Sequence, residues 1–366
     1  MGLNLAPQFR VIANSQDITA KVRERLKHLK LTDETGVTSD TLEICLADHN
    51  PHAPVQIPST GAELQVFLGY DGSARRMGLF IVDEIELSGF PGQMTIRARA
   101  APYETTKQGR VDLQSQKTRS WKAGTTLGQL VRRIAGEHRM APSVSASLAR
   151  IALPHTDQTN ESDMNLLRRL AERYDAVAKP AGGHLLFLRR GDAQSVTGAA
   201  LARVTLTPSD GGDYTVNITS RDSPGTVIAY YRDISQAERH AVAVGEGEPV
   251  RRLRMAYRDK ASAESAASAE LRRRARGERN LSYTCPGRPE VIAECLVVMR
   301  GFRVGVDGEW LVTRAVHYVG SGGYSCTIEA EQPSSAPRVQ EVSSSEIDDQ
   351  VQSHERSRAN QSSRQN

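Results

Sequence analysis

The stretch Met94-Thr95-Ile96-Arg97-Ala98-Arg99-Ala100 alternates apolar and polar side chains along its whole length. Successive side chains of a β-strand point to opposite faces of a sheet, so this alternation predicts a strand with one buried face. Turn residues separate it from other short strand-like runs, which lie at residues 42–46, 64–68 and 79–87. Several short strands at this spacing predict a first β-barrel-like domain over residues 1–105.

Residues 106–200 change from the period of a strand to that of a helix. Thr126 and Gln129 have the spacing of a capping box, in which each side chain bonds the backbone N–H of the other residue. Apolar side chains with the i, i+3, i+4, i+7 spacing of an amphipathic helix follow, namely Leu127, Leu130, Val131, Ile134 and Ala135. A second helix is predicted to begin near residues 160–162, and a strand at 185–188. This region is predicted to be a small α+β middle module.

Strand patterns return over residues 201–332, which are predicted to form a second β-barrel-like domain. An Ala-rich helix at 259–277 interrupts them, with Gly277 as its expected left-handed cap. Residues 333–366 are rich in Ser, Gln, Glu, Arg and Asn and are predicted to be a disordered polar tail. The predicted fold class is therefore α+β and β-rich, with two β-barrel-like domains flanking the middle module.

Charge and cysteine content argue against several classes of protein. The formal net charge is only +4 over 366 residues, which does not favour specific nucleic-acid binding. The run Arg272-Arg273-Arg274 is interpreted as a solvated helix face, the alternative being a positive collar that faces DNA or a partner. The four cysteines lie far apart without a CxxC pair, so reduced thiols and no metal site are expected. No signal peptide or membrane-spanning apolar run is found, so folding in a cytoplasm without membrane insertion is expected.

One cluster of polar residues could carry chemistry, and it consists of His155, Gln158, Glu161, Ser162 and Asp163. Carboxylates beside a histidine can perform acid–base catalysis or bind a metal ion. However, Glu161 and Asp163 fall where the second helix should begin, and acidic side chains there cap free N–H groups. The cluster is therefore interpreted as structural, and we predict no catalytic, cofactor-binding or metal-binding residues. Trp121 could be either a partner anchor or a small core of its own.

The segment from His155 to Tyr174, HTDQTNESDMNLLRRLAERY, closely resembles the signature of the phage late control protein D family. Weaker matches keep the family's order and spacing along the chain, and they lie at residues 39–44, 68–70, 78–85, 117–121, 307–310 and 317. Together the matches cover roughly residues 5–332. The family supplies baseplate hubs of contractile tails, R-type pyocins and related contractile injection systems, and is similar to the hub half of type VI secretion spike proteins.

The resemblance implies a non-enzymatic homotrimer whose two β-barrel-like hub domains per subunit form a pseudo-sixfold ring. Such a ring would join a sixfold tail tube to a threefold central spike. The implied partners are a spike protein trimer and a tail tube or tube-initiator protein, with tape measure and baseplate wedge proteins as further candidates. A separate spike is expected because the chain shows no needle repeats after residue 333. Assembly in the bacterial host cytoplasm would precede release as part of the baseplate of a phage or pyocin particle.

Two other functions fit parts of the sequence. The acidic cluster in the middle module would suit a peptidoglycan-binding or cell-wall lytic component of the tail tip. A nucleic-acid-binding regulator is the other alternative, and it would require DNA binding that depends steeply on salt.

Overall fold

The structure is a computed structural model that describes residues 7–36, 40–50, 52–101, 113–181, 183–190, 203–219, 225–233, 238–333 and 339–340. The chain divides into two compact units. The larger unit contains Met1–Glu172, Ala176–Ile218 and Arg279–Pro333, and the smaller contains Arg173–Asp175, Thr219–Glu278 and Ser334–Asn366. The domain boundaries expected at 105, 200 and 332 stay predictions.

Strands dominate the described residues. In chain order they are β1 (Pro7–Ala13), β2 (Gln16–Asp17), β3 (Leu26–Glu34), β4 (Thr41–Ala47), β5 (Glu63–Tyr70), β6 (Arg75–Ser88), β7 (Gln93–Ala100), β8 (Gln116–Trp121), β9 (Ala141–Val144), β10 (Thr156–Ser162), β11 (Ala176–Ala181), β12 (His184–Arg189), β13 (Arg203–Leu206), β14 (Asp213–Ile218), β15 (Thr226–Asp233), β16 (Glu238–Gly245), β17 (Val250–Tyr257), β18 (Arg279–Pro286), β19 (Leu296–Met299), β20 (Gly308–Gly320), β21 (Gly323–Glu331) and β22 (Val339–Gln340). The helices are α1 (Thr19–Arg23), α2 (Leu127–Glu137), α3 (Ala146–Ala149), α4 (Asp163–Tyr174) and α5 (Lys260–Gly277), with a 3₁₀ turn at Pro208–Asp210. None of the helices in the described residues is long and apolar enough to cross a membrane.

A thirteen-stranded sheet forms the body of the larger unit. Its main path is β14-β18-β21-β20-β3-β4-β7-β6-β5-β1-β2, with β19 paired to β20 and β13 paired to β19. The antiparallel pairing of β3 with β20, in which Leu31 lies opposite His317, joins the first and last β-rich regions in one sheet. The alternating stretch at 94–100 lies in β7, between β4 and β6, as its pattern predicts.

Two hydrophobic clusters pack on this sheet. The first collects buried side chains mainly from the first hundred residues, including Leu29, Val66, Phe80 and Met94. The second belongs to the later strands and includes Leu281, Val297, Trp310 and Ile328. All four cysteines are buried thiols, and burial raises the pKa of Cys285 to about 12. The β-rich fold class predicted from the sequence is confirmed.

The chain between β7 and β13 forms α2, α3 and α4 beside two small sheets. The Thr126–Gln129 capping box begins α2, with 3.2 Å from the Gln129 backbone N to Thr126 Oγ1 and 2.9 Å for the reciprocal bond. Strand β8 pairs with β10, while β11, β12 and β9 form a three-stranded sheet. The region therefore has the α+β character that its sequence predicts.

The smaller unit is a four-stranded sheet with strand order β17-β15-β16-β22, and α5 packs on one face of it. Small helix residues such as Ala263 and Ala267 allow close packing against Val227, Ala229 and Val244. The expected left-handed cap at Gly277 is wrong, because Gly277 is the last helical residue and Glu278 keeps right-handed helical angles. Of the predicted tail, Val339–Gln340 forms β22, and residues 334–338 and 341–366 lie outside the described part.

The interpretation of Arg272-Arg273-Arg274 as a solvated face is wrong for two of the three arginines. Arg273 is exposed, but Arg272 and Arg274 are mostly covered and contact Asp175 and Glu270 respectively. One turn later Arg276 is only 1% exposed, and its guanidinium donates to both Asp175 oxygens at 2.8 and 2.5 Å. The sequence prediction failed because the burial of these arginines depends on a tertiary contact. Their partner Asp175 lies about a hundred residues away in sequence but within the same unit.

Replacing Gly287 by alanine should destabilise the larger unit by about 1–3 kcal/mol, the usual range for overpacking a core. A methyl group at Gly287 would lie 2.1 Å from the ring of the buried Tyr324, whereas one at the helical Gly136 would meet nothing within 4 Å. Gly136→Ala should therefore stabilise α2 by up to about 1 kcal/mol. Urea unfolding of both variants tests whether the two substitutions change the unfolding free energy in opposite directions. Equal unfolding midpoints for the two variants would contradict the close packing at Gly287.

Candidate functional site

The signature segment begins as a strand rather than as a helix. Strand β10 pairs antiparallel with β8, placing Gln158 opposite Arg119 and Glu161 opposite Lys117. The register shifts between Gln158 and Glu161, and Asn160 in this bulge has a positive φ of 48°. A bulge re-aims the side chains that follow it. As a result, the side chains of Gln158 and Asp163 contact each other and both bind Arg119 of β8.

Asp163 is the centre of the site and is 0% exposed. Its Oδ2 lies 2.5 Å from Lys117 Nζ and 2.7 Å from His138 Nε2. Its Oδ1 accepts hydrogen bonds from Arg119 Nη2 at 2.5 Å and from Gln158 Nε2 at 2.8 Å. Four side-chain partners therefore use both oxygens of one carboxylate.

Gln158 is equally buried and links this carboxylate to the strand beside it. Its amide nitrogen donates to Asp163 and to the Glu161 carbonyl at 3.0 Å. Its amide oxygen accepts from Arg119 Nε at 2.7 Å and from Trp121 Nε1 at 3.4 Å. A glutamine has two donors and an acceptor oxygen with two lone pairs, so every position is used.

Glu137, at the end of α2, supplies the second negative charge. Arg119 Nη1 lies 2.7 Å from both of its oxygens, and Lys117 Nζ is 3.0 Å from Oε2. Two carboxylates thus face a lysine and an arginine. Charges that leave water need this kind of balance, because an unpaired buried ion is very costly.

The electrostatics of the network favour its ionised form. Burial on its own would raise the pKa of Asp163, but hydrogen bonds from Lys117, Gln158 and His138 outweigh burial and hold that pKa at about 2. Burial likewise opposes ionisation of Glu137, yet its bonds to Arg119 and Lys117 lower its pKa. Both carboxylates therefore carry charge at neutral pH.

The five residues of the sequence cluster have different surroundings. Gln158 and Asp163 share the buried network, whereas His155 is half-exposed and contacts Asp157 Oδ1 at 3.1 Å. Glu161 lies in β10 and pairs with Arg169 at 2.8 Å. Asp163 lies in the first turn of α4, as expected, whereas the same expectation is wrong for Glu161, which lies in β10. The Oγ of Ser162 accepts a hydrogen bond from the Asn165 backbone N–H at 3.2 Å.

Sequence reasoning missed the partners that complete the network. Lys117, Arg119 and Trp121 alternate along β8, so their spacing indicated one shared face. Nothing in the sequence linked Glu137 and His138 to Asp163. Trp121 is buried, with the Arg119 guanidinium 4.6 Å from its ring centroid, so it belongs to a local core.

A metal ion is one chemical possibility at this site. Glu137, His138 and Asp163 each offer a ligand atom, and these atoms lie within 4.8 Å of one another. However, Lys117 and Arg119 already bind the carboxylate oxygens, and a cation would have to displace both. The arrangement suits an ion-paired joint between β8, β10, α2 and α4.

Comparison with known proteins identifies the family. Residues 42–323 match the profile of the phage tail baseplate hub (GPD) family. The chain belongs to this baseplate hub family. It is 33% identical over 374 residues to a probable baseplate hub protein of Escherichia phage 186, covering 90% of this chain and 94% of that one. A probable baseplate hub protein of Escherichia phage P2 is 32% identical with the same coverage.

Solved structures show the same fold at lower identity. The 43 kDa tail protein of prophage MuSo2 from Shewanella oneidensis has a TM-score of 0.66 at 15% identity, covering 89% of this chain and 98% of that one. The Escherichia coli c3393 protein, a component of the type VI secretion system, has a TM-score of 0.51 at 11% identity, covering 91% of this chain and 76% of that one. The resemblance to late control protein D is confirmed, and the chain is a structural component of a phage-type tail baseplate.

Asp163→Asn should destabilise the larger unit by about 2–3 kcal/mol, because it removes the buried counter-charge of the partly exposed Lys117 and Arg119. The amide keeps the shape of the side chain, so packing is little changed. The matched control is Asp157→Asn in β10, the strand that directly precedes Asp163, at an exposed side chain bonded to Ser120 and His155. Chemical denaturation measures both, and similar midpoints for the two variants would contradict a buried network.

The same network predicts a pH dependence. The pKa of Asp163 is about 2 in the folded chain against an ordinary 3.8, so its contribution is complete above about pH 4. That contribution is lost as the pH falls from about 4 to about 2. The difference in unfolding free energy between the unmodified chain and Asp163→Asn should shrink in this window and stay constant from pH 5 to 7. A difference that already shrinks between pH 7 and 5 would rule out this assignment.

Proposed function

We propose that three copies of the chain form a ring that joins a sixfold tail tube to a threefold central spike. The observation that carries the proposal is that two β-rich strand sets, each with its own hydrophobic cluster, share one sheet through β3 and β20. Three chains with two such sets each present six β-rich modules while keeping threefold symmetry. A closed ring is the usual solution for matching repeated partners.

The proposed partners follow from this position in the baseplate. A spike protein trimer would occupy the threefold face, and a tail tube or tube-initiator protein the sixfold face. Tape measure and baseplate wedge proteins are further partners of a ring in this place. Folding and assembly in the host cytoplasm, before release of the particle, agree with the four buried thiols.

The proposed role is structural rather than enzymatic. Glu161 is paired with Arg169, and Asp163 is held at both oxygens. The pKa of Asp163 lies far below the range in which a carboxyl group works as a general acid. The nearby His155 contacts Asp157 instead of either acid. The signature residues therefore support a joint in the fold better than an acid–base pair.

Native mass spectrometry of the purified chain, alone and mixed with the spike protein of the same particle, tests this function. We expect a species of three times the 40.0 kDa chain mass, and a larger species once the spike trimer is added. An unrelated trimeric protein is the control for non-specific association. A chain that stays monomeric with the spike present would contradict the proposed ring.

A further inference from the structure

A second group of charged side chains lies outside the signature site, within the same larger unit. Lys179 on β11 extends its ammonium group toward the thirteen-stranded sheet. Its Nζ is 3.6 Å from Asp33 Oδ1, 3.5 Å from Asp40 Oδ1 and 3.3 Å from the Glu34 carbonyl oxygen that accepts its proton. One cation therefore connects the three-stranded sheet with β3 and with the start of β4.

The two carboxylates also fix the backbone around them. Asp33 Oδ2 accepts the Ala293 N–H at 3.0 Å, and Asp40 Oδ1 accepts the Glu34 N–H at 3.3 Å. Asp33 belongs to β3, the strand that pairs with β20. A change of charge here therefore acts where the two β-rich strand sets meet.

Two carboxylates, those of Asp33 and Asp40, share the single ammonium group of Lys179. Asp33, Asp40 and Glu294 all act on Lys179, while the carboxylate of Glu34 has its own partner in Arg314 at 3.0 Å. Burial would lower the pKa of Lys179, but the three acids outweigh burial and raise it, so the ammonium group stays charged. One lysine cannot neutralise both Asp33 and Asp40 when both are ionised.

Asp40 is the carboxylate of this cluster that takes up a proton, which removes one of the two negative charges facing Lys179. Burial raises its pKa to about 7 from an ordinary 3.8, with Lys179 opposing this rise and Asp33 adding to it. The protonated carboxyl group leaves Asp33 and Lys179 as a balanced pair. Loss of that proton adds a charge that the cluster does not compensate.

We propose that Asp33, Asp40 and Lys179 form a proton-dependent latch that fastens the three-stranded sheet β9-β11-β12 to the thirteen-stranded sheet. The latch is closed when Asp40 is protonated and loosens when Asp40 ionises. It gives the larger unit a joint whose strength varies with pH near neutrality. The latch depends on this chain alone and not on the proposed ring.

The sign of the effect follows from the proton count. Because the pKa of Asp40 is raised on folding, its stabilising contribution is complete below about pH 4 and is lost as the pH rises to about 7. His317 makes a contribution to the unfolding free energy that depends on pH with the opposite sign in part of this range. Burial lowers its pKa to about 4 from 6.5, so its contribution is lost as the pH falls. The raw stability curve is therefore a sum, and a variant is needed to separate the two.

The variant Asp40→Asn separates the contribution of Asp40 from that of His317, because its amide mimics the protonated acid and cannot titrate. The unfolding equilibrium constant of the unmodified chain divided by that of Asp40→Asn should rise with pH, by up to about tenfold per pH unit between pH 5 and 7. It should level off above about pH 8. The contribution of His317 cancels in this ratio. The matched control is Asp83→Asn on β6, a carboxylate paired with Arg99, whose ratio should not change over the same range.

Amide hydrogen exchange shows which strands lose stability when Asp40 ionises. After correction for intrinsic exchange rates, the amides of β11 should lose protection between pH 6 and pH 8 in the unmodified chain but not in Asp40→Asn. A ratio that is constant from pH 5 to 8 would overturn the titration of Asp40. A changing ratio with unaltered protection of β11 would overturn the latch and assign the titration to global stability.

Discussion

The pairing of β3 with β20 is the constraint on which the rest of the larger unit depends. It joins residues 28–34 to residues 314–320, so about three quarters of the chain lies between the two strands. The entropy cost of closing so long a loop grows only slowly with its length, and continuous backbone pairing can offset it. Without this ladder the first and last strand sets would be two separate sheets. With it, the small sheets and helices between β7 and β13 become an insertion between strands of one sheet.

Within each unit, buried charged groups stabilise the fold together with apolar packing. The Asp163 network joins two strands and two helices through one carboxylate, and within the smaller unit Arg276 of α5 pairs with Asp175. Buried ion pairs contribute little net stability compared with apolar residues of equal size. They do demand one geometry, because any other leaves a charge unpaired. For the proposed ring, which would match a tube on one face and a spike on the other, a fixed geometry is the more useful property.

The sequence was informative where local pattern decides the structure. Period-two alternation located β7, and helical spacing with a capping box located α2. It was uninformative where distant residues decide, as in the pairing of β3 with β20 or the contact of His138 with Asp163. Glu161 shows the difference, since its position before a helix indicated a cap whereas pairing with β8 places it in a strand. Tertiary pairing overrode a correct local rule.

The small net charge of the chain gives no indication of how its charged side chains are paired. The value of +4 results from 47 basic and 43 acidic residues, and many of both kinds are paired across strands and helices. Around Asp163 the pairing is balanced, and its carboxylate stays ionised far below neutral pH. Around Asp40 it is not balanced, and the pKa moves toward neutrality instead. Removal from water thus gives a permanently charged joint where cations match anions and a titratable joint where they do not. The ratio of charges in each cluster, rather than the sum over the chain, decides which parts of the hub respond to pH.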